Sequence, residues 1–281
     1  MSLQQNVVSQ LPHIVADLNY LAPTADRPRN YTFEPPPGVP RYNGRHETRS
    51  VAIRDARPVA DIVSLDANGF AIVRHKSAVR DFFNEEEVRR VYYPEVERVI
   101  KEATGADRVH IFDHTTRRRV PGAQDRVGDG PRQPALRVHV DHTARSGPQR
   151  VRDLLPDEAN ELLKGRVQVI NLWRPLVGPL LDAPLAVCDA TTVAAGDLVP
   201  SDLVYPHRVG ETYSVTYNPA HRWYYVPRMR TDEALLIKCS DTAVNVPARF
   251  TPHSAFIDPT TPAGARPRES IEVRTLVFHA T

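Results

Sequence analysis

The sequence has few cysteines, no long hydrophobic run and little net charge. Its 281 residues include two cysteines, Cys188 and Cys239, which are too few for a disulfide framework or a thiolate metal site and favour a reducing cytosol. No run of about 18 apolar residues occurs, and residues 1–14 lack a basic segment followed by an apolar one. We therefore predict no membrane span and no signal peptide, and expect a cytoplasmic protein.

The charge balance gives no indication of nucleic-acid binding. Lysine and arginine number 36 against 34 aspartates and glutamates, and the one dense basic run, at 117–119, is typical of a solvated loop. Apolar residues make up 41% of the chain and charged residues 25%, which is ordinary for a globular protein with a full core. We therefore expect a folded protein without a nucleic-acid or membrane partner.

Proline content separates an N-terminal arm from the rest of the chain. Residues 22–60 are rich in proline and arginine, and the missing amide protons and fixed φ angles of proline oppose helix and central strand. We expect residues 1–60 to form an ordered arm, which is a candidate contact in a homodimer. Residues 61–281 should supply helices and a β-rich core, so that 1–281 forms a single domain.

Helical periodicity is confined to two stretches, and the remainder is typical of β structure. Residues 77–103 have helical apolar spacing with Pro94 as a break, and 156–164 predict a short helix. After Gly105, short apolar or alternating runs are separated by proline, glycine and aspartate, which indicates a sandwich or barrel. Strands are predicted near 108–113, 135–141, 167–173, 184–189, 212–217, 222–227, 234–239, 247–253 and 270–278. The predicted fold is mainly β, a jelly roll with flanking helices.

A His-x-Asp sequence supplies two candidate metal ligands. The side chains of His139 and Asp141 point to one face of a strand because successive residues alternate. Two histidines and a carboxylate leave metal positions open, as in non-haem iron(II) oxygenases, although an isolated His–Asp pair is more often a surface hydrogen bond. The second histidine is His207, in a polar loop, or His253, which we favour because it precedes the last strand.

Four sequence blocks extend this pattern to a known family. The pattern itself resembles the 2-oxoglutarate-dependent dioxygenases, which adopt a double-stranded β-helix of the cupin-like type. The blocks at 171–176, 184–189, 217–225 and 267–274 are similar to the fungal hydroxylase/desaturase family. The resemblance covers residues 60–280 and leaves the N-terminal arm unexplained.

The resemblance implies that Fe(II) binds to His139, Asp141 and His253 as the catalytic centre, with 2-oxoglutarate and O2 as co-substrates. The distal carboxylate of 2-oxoglutarate then requires a cation, preferably the planar fork of an arginine. Arg268 and Arg274 are the candidates, and their equal strand parity does not separate them. We favour Arg274 because it lies within the apolar strand, the alternative being a surface ion pair of this residue with Glu272.

The same resemblance gives Asn171 a place in the co-substrate site and defines the expected reaction. Asn171 shares a strand face with Trp173, while Arg174 lies across the pleat, and its amide is a candidate donor to a co-substrate carboxylate. The implied function is hydroxylation, desaturation or related C–H oxidation of a small molecule in secondary metabolism.

Two other functions remain open from the sequence. A cupin-type metalloenzyme that does not use 2-oxoglutarate would form no succinate. A non-enzymatic β-sandwich binding module would have no affinity for iron.

Overall fold

The computed structural model describes residues 10–123 and 132–280. The strands in these ranges are β1 (His13–Leu21), β2 (Arg29–Tyr31), β3 (His46–Asp55), β4 (Phe70–Arg74), β5 (Arg108–Arg118), β6 (His139–Val140), β7 (Val167–Pro175), β8 (Leu185–Cys188), β9 (Leu198–Val204), β10 (Val209–Val215), β11 (Trp223–Tyr225), β12 (Glu233–Asp241), β13 (His253–Ala255) and β14 (Glu269–Phe278). The α-helices are α1 (Tyr93–Thr104), α2 (Ser146–Leu154) and α3 (Ala159–Leu162). Shorter turns of helix are formed by Glu85–Glu87, Val88–Tyr92, Arg57–Val59, Ala190–Thr192 and Ala195–Asp197.

Two sheets form the body of the protein. The larger has the strand order β1-β3-β11-β8-β13-β6-β10-β9-β2, and the smaller has the order β4-β12-β7-β14-β5. Strands of the two sheets face each other across a common apolar core, and α1 covers the outer face of the smaller sheet. The prediction of a mainly β protein with flanking helices is confirmed.

Alternate side chains of β7 pack on the two faces of the smaller sheet, one against the larger sheet and the other against α1. Val169 and Trp173 lie in the core between the sheets, whereas Ile170 and Leu172 belong to the cluster that includes Ile100 of α1. Side chains of successive strand residues point to opposite faces, and because both faces of β7 are covered, the strand is buried along its whole length, including its polar residues Gln168, Asn171 and Arg174. The inward face of β7 is also the face that carries Asn171.

The helix before β5 continues through Pro94 instead of breaking there. Asn84 caps its first turn by accepting from the amide of Glu87 at 3.0 Å, and the backbone widens to a π turn over Val88–Tyr92 before α1. A π turn accommodates a proline that lacks the usual amide donor. The helix ends at Gly105, whose φ of 66° is a left-handed conformation favoured by glycine.

Several elements were not predicted from the sequence. The N-terminal arm contains β1 and β3, which pair along their whole length from His13↔Arg54 to Leu21↔His46, and β3 joins the larger sheet through β11. β2, β9 and α2 were also missed, while the strands predicted at 135–141 and 247–253 shrink to β6 and β13. A homodimer through the arm stays a prediction.

The described helices include none that is both long enough and apolar enough to cross a lipid bilayer.

Gly69 sits where the backbone before β4 passes close to the segment leading into β13. Its φ is +88°, and an added Cβ would overlap the hydroxyl of Thr251. That hydroxyl donates to the Gly69 carbonyl at 2.9 Å, so the glycine is required both for its conformation and for close approach.

We expect Gly69→Ala to lower the free energy of unfolding by about 2 kcal/mol or more, since it combines positive φ with a steric overlap. Urea denaturation measures the change. Gly196→Ala is the matched control because an added Cβ there meets nothing within 4 Å. Equal effects of the two substitutions would contradict the explanation.

Candidate metal and co-substrate site

Two neighbouring strands of the larger sheet bring the candidate histidines together. His253 on β13 pairs directly with His139 on β6, and their ring centroids lie 4.4 Å apart. Asp141 follows β6 immediately, and its Oδ1 lies 3.3 Å from Nε2 of His139 and 3.9 Å from Nε2 of His253. Each of the three residues offers one donor atom, and these three atoms lie within 4.8 Å of one another.

Backbone carbonyls orient both imidazole rings. Nδ1 of His139 donates to the carbonyl of Arg137 at 2.7 Å, and Nδ1 of His253 donates to that of Thr251 at 3.1 Å. The proton therefore sits on Nδ1 of each ring, and the Nε2 lone pair faces Asp141. Burial, followed by the neighbouring His139, lowers the pKa of His253, which keeps the ring in the neutral form that a metal ligand requires.

These donors fit an iron(II) ion. Adjacent ligands with metal–ligand bonds of about 2.1 Å lie about 3 Å apart in a facial arrangement. The observed separations of 3.3 and 3.9 Å are close to that value. The set combines imidazole nitrogen with carboxylate oxygen, which suits iron(II) better than the softer thiolate-binding metals.

The second oxygen of Asp141 is held by the smaller sheet. Oδ2 accepts from Nδ2 of Asn171 at 2.8 Å and from Nε of Arg274 at 3.1 Å, so Oδ1 remains directed at the two histidines. Burial opposes ionisation of Asp141, but the Arg274 guanidinium outweighs it and holds the pKa of the carboxyl well below its usual range. Asp141 is thus an oriented carboxylate before any ion binds.

Arg274 is occupied by acidic and hydroxyl partners. Its Nη1 donates to Asp113 and to Thr115, both at 3.1 Å, and its Nη2 donates to Glu272 at 2.7 Å. Glu272 also accepts from Asn171 at 3.1 Å. Burial is the largest influence on the Arg274 pKa and lowers it, yet the surrounding carboxylates raise it well above its usual value.

Arg268 has a different environment. The side chain is 2% exposed, and it donates to Ser270 Oγ at 3.1 Å and to the carbonyl of Ala183 at 2.8 Å. Its guanidinium carbon lies 4.9 Å from the centre of the Trp173 ring. Among the described residues, no carboxylate lies within 4 Å of its guanidinium, and burial lowers its pKa to about 9.

A small cavity connects Arg268 with the histidine pair. It has a volume of about 20 Å³, and its walls include Arg268, Trp173, His139 and His253. In the described part of the chain, the buried Nε1–H of Trp173 has no hydrogen-bond acceptor. An acceptor-rich ligand would therefore meet both a cation and a free donor there.

A second and larger cavity also reaches the candidate ligands. It has a volume of about 1120 Å³, and His139 and Asp141 form part of its wall. Tyr42 and His46 of the N-terminal arm line it as well. The arm therefore contributes directly to the space beside the candidate metal site.

The structure separates the remaining sequence candidates from the cluster. His207 is exposed in the turn between β9 and β10, away from the His-Asp-His group. Arg174 lies on the opposite face of β7 from Asn171, as predicted, and donates to the carbonyl of His75 at 2.8 Å. His142, which is not among these candidates, directly follows Asp141 and contacts the hydroxyl of Ser146 at 3.3 Å.

The alternative considered from the sequence for Arg274, an ion pair with Glu272, is present in the structure. Sequence reasoning did not identify the other residues around Arg274 or the lack of a nearby carboxylate at Arg268. The equal parity of Glu272 and Arg274 on one strand was a signal for their contact. Asp113 and Thr115 come from β5, and no local pattern connects them with the site.

Comparisons with known proteins identify the family to which the chain belongs. A family model described as "Oxidoreductase/YMDC permease-like domain" matches residues 18–278. The chain is 34% identical to the Fe(II)/2-oxoglutarate-dependent dioxygenase nvfI of Aspergillus novofumigatus over 88% of this chain and 90% of that protein. It is 35% identical to the hydroxylase/desaturase efuI of Hormonema carpetanum, over 96% of each. A solved structure of the iron and alpha-ketoglutarate-dependent endoperoxidase NvfI superposes with a TM-score of 0.87 at 31% identity, covering 97% of this chain and 100% of that one.

The chain belongs to the Fe(II)/2-oxoglutarate-dependent dioxygenases. The similarity to the fungal hydroxylase/desaturases is confirmed, as is the jelly-roll fold. As a member of these dioxygenases, the protein is an oxidoreductase that uses Fe(II) and 2-oxoglutarate, with O2, in C–H oxidation of a small molecule: hydroxylation, desaturation or a related reaction.

Proposed function

We propose that His139, Asp141 and His253 bind iron(II) and that Arg268 binds the distal carboxylate of 2-oxoglutarate. The small-molecule substrate, from secondary metabolism, would enter the larger cavity, which we name the substrate cavity. The observation that carries this proposal is a buried guanidinium that has no carboxylate within 4 Å among the described residues and that lies on the wall of the same small cavity as both histidines and Glu272.

The environment of Arg268 suits a carboxylate ligand. A buried charge is costly unless it is paired, and the low pKa of Arg268 reflects this cost. Asp182 does not neutralise the guanidinium by contact, because its Oδ2 accepts from the Arg268 backbone amide at 3.0 Å and its Oδ1 accepts from Arg119. A bound carboxylate would supply the missing charge and accept from the fork.

Arg274 is better suited to positioning Asp141. Three carboxylates already surround its guanidinium, so a further carboxylate would add negative charge to an occupied group. Its Nε and the amide of Asn171 hold the same oxygen of Asp141. Asn171 therefore acts on the site by orienting Asp141. Together, Asn171 and Arg274 leave Oδ1 of Asp141 free for the ion.

Iron(II) and 2-oxoglutarate, when bound, supply the oxidant for the C–H bond and yield succinate and carbon dioxide from the co-substrate. The protein residues hold the two imidazoles neutral, orient one carboxylate oxygen and enclose the co-substrate beneath Trp173. The substrate would approach the ligand set from the larger cavity, whose wall includes His139 and Asp141.

We expect the protein to develop a weak visible charge-transfer band when iron(II) and 2-oxoglutarate are added together without oxygen. Such a band reports chelation of iron by the 2-oxo acid. Neither component alone should produce it, and zinc(II) with 2-oxoglutarate is the matched control because zinc has no redox chemistry. Bound iron without a band at saturating 2-oxoglutarate would contradict the proposal.

Succinate formation distinguishes the remaining alternatives. A cupin-type metalloenzyme would bind iron but release no succinate, and a binding module would do neither. Succinate in stoichiometric amounts with oxidised product supports the proposed reaction.

A further inference from the structure

The acidic side chains on the wall of the substrate cavity have partners, whereas two of its arginines have no nearby carboxylate among the described residues. Among its acidic residues, Asp202 and Glu211 contact Arg27 at 2.6 and 2.5 Å, and Asp113 contacts Arg274 at 3.1 Å. The carboxylate of Asp153 accepts from the amide of Gln149 on the same helix at 2.8 Å. The acidic side chains of this wall therefore already have partners.

Arg150 and Arg208 are arginines of the same wall that lack such partners. Neither has a carboxylate within 4 Å among the described residues. Each is instead held against an aromatic ring: the guanidinium carbon of Arg150 lies 4.8 Å from the centre of Phe112, and that of Arg208 lies 4.0 Å from the centre of Tyr205. Stacking of this kind fixes the plane of a guanidinium while leaving its N–H groups available.

The two arginines also influence each other. Arg150 is half-buried on α2, and its pKa is lowered first by burial and next by the positive charge of Arg208. Asp113 and Asp153 each oppose this effect by less than Arg208 contributes, so the two neighbouring cations still repel each other in the free protein. An anion bound between them would remove the repulsion, and such an arrangement in a cleft is typical of a binding site.

Arg150 is linked to the metal ligands through aromatic rings, without touching them. The Phe112 ring, against which Arg150 stacks, packs edge to face with the His142 ring, with centroids 6.3 Å apart. His142 directly follows Asp141. The same cavity wall includes His139 and Asp141. A molecule anchored at Arg150 would thus extend along the cavity toward the metal site.

We propose that the substrate carries an acidic group, a carboxylate or its equivalent, and that Arg150 and Arg208 bind this group at the wall of the substrate cavity. This inference rests on the proposed function, because it takes the cavity beside the metal ligands as the place where the substrate binds. The acidic group would set which end of the molecule points away from the iron. Oxidation would then fall on a carbon remote from the acid.

A pair of fluorescent dyes tests the inference without knowledge of the substrate. 1-Anilinonaphthalene-8-sulfonate and N-phenyl-1-naphthylamine have the same ring skeleton and differ by one sulfonate, and both are small relative to a cavity of about 1120 Å³. Fluorescence titrations would measure the affinity of each dye for the protein loaded with iron(II) and 2-oxoglutarate under anaerobic conditions.

We expect the double variant Arg150→Gln, Arg208→Gln to bind the sulfonate dye about tenfold more weakly, the scale of a charge-assisted contact at a partly exposed site. Affinity for the neutral dye should change less than about twofold, because the apolar surface remains. Arg150→Lys should retain much of the sulfonate affinity since it keeps the charge. Arg230→Gln is the control, because Arg230 is exposed and paired with Asp232 at 2.9 Å outside this cavity.

The outcomes separate the inference from the function on which it rests. Equal losses for both dyes, or unchanged sulfonate affinity in a double variant that still forms the charge-transfer band, would overturn the acidic-substrate inference alone. Failure of the wild-type protein to form the band would overturn the proposed function. A selective loss of sulfonate affinity, with the band intact, supports both.

Discussion

Each of the substitutions His139→Ala, Asp141→Ala and His253→Ala is expected to abolish iron(II) retention and succinate formation. The three side chains supply all the donor atoms of the candidate centre, and loss of even an outer partner commonly lowers metal affinity by about 10- to 100-fold. Removal of a direct ligand should therefore have a larger effect. Iron content after desalting and succinate release in the presence of oxygen measure the two losses.

The control for these variants is His207→Ala, which alters an exposed histidine in the turn after β9 and should retain iron and activity. His253 is 3% exposed, so its variant requires a thermal-unfolding measurement to show that the sheet persists. The assignment would be overturned if folded His253→Ala kept its iron while His207→Ala lost it.

The inward faces of the strands could be predicted from the sequence. Alternation alone placed His139 with Asp141, and Asn171 with Trp173, because a strand has a side-chain period of two. The structure keeps both pairs on the interior of the jelly roll and puts Arg174 on the other face. Local periodicity was sufficient here because each pair lies on or immediately next to one strand.

The different environments of Arg268 and Arg274 could not be read from the sequence. Both point to the same side of the chain around β14, and the difference between them lies in partners from distant segments. Arg274 meets Asp141 across 133 residues of sequence and Asp113 across 161. No propensity or spacing rule includes such contacts, so the sequence favoured the arginine within the apolar strand.

The strands of the N-terminal arm escaped prediction for a physical reason as well. β3 has the sequence HETRSVAIRD, and most of its first half is exposed, so it lacks a clear apolar alternation. Its position depends on pairing with β1 on one side and β11 on the other. For such strands, β propensity is dominated by tertiary context.

We expect Arg268→Ala to raise the Michaelis constant for 2-oxoglutarate by roughly 10- to 100-fold while iron(II) remains bound. A charge-assisted contact in a desolvated pocket contributes about 1.5–3 kcal/mol, which corresponds to this range. Arg268→Lys should recover only part of the affinity, because lysine supplies the charge without the planar fork. Steady-state kinetics of succinate formation at saturating iron measure the constant.

Arg274→Lys is the matched comparison, since it preserves a cation among Asp113, Asp141 and Glu272 but removes the guanidinium that orients Asp141. It should weaken iron affinity by about 10- to 100-fold and leave the Michaelis constant for 2-oxoglutarate nearly unchanged once iron is saturating. The two variants thus separate co-substrate binding from ligand positioning. A large rise in the constant for Arg274→Lys at saturating iron, with none for Arg268→Ala, would exchange the two roles, because only the arginine that binds the carboxylate affects 2-oxoglutarate after the metal site is filled.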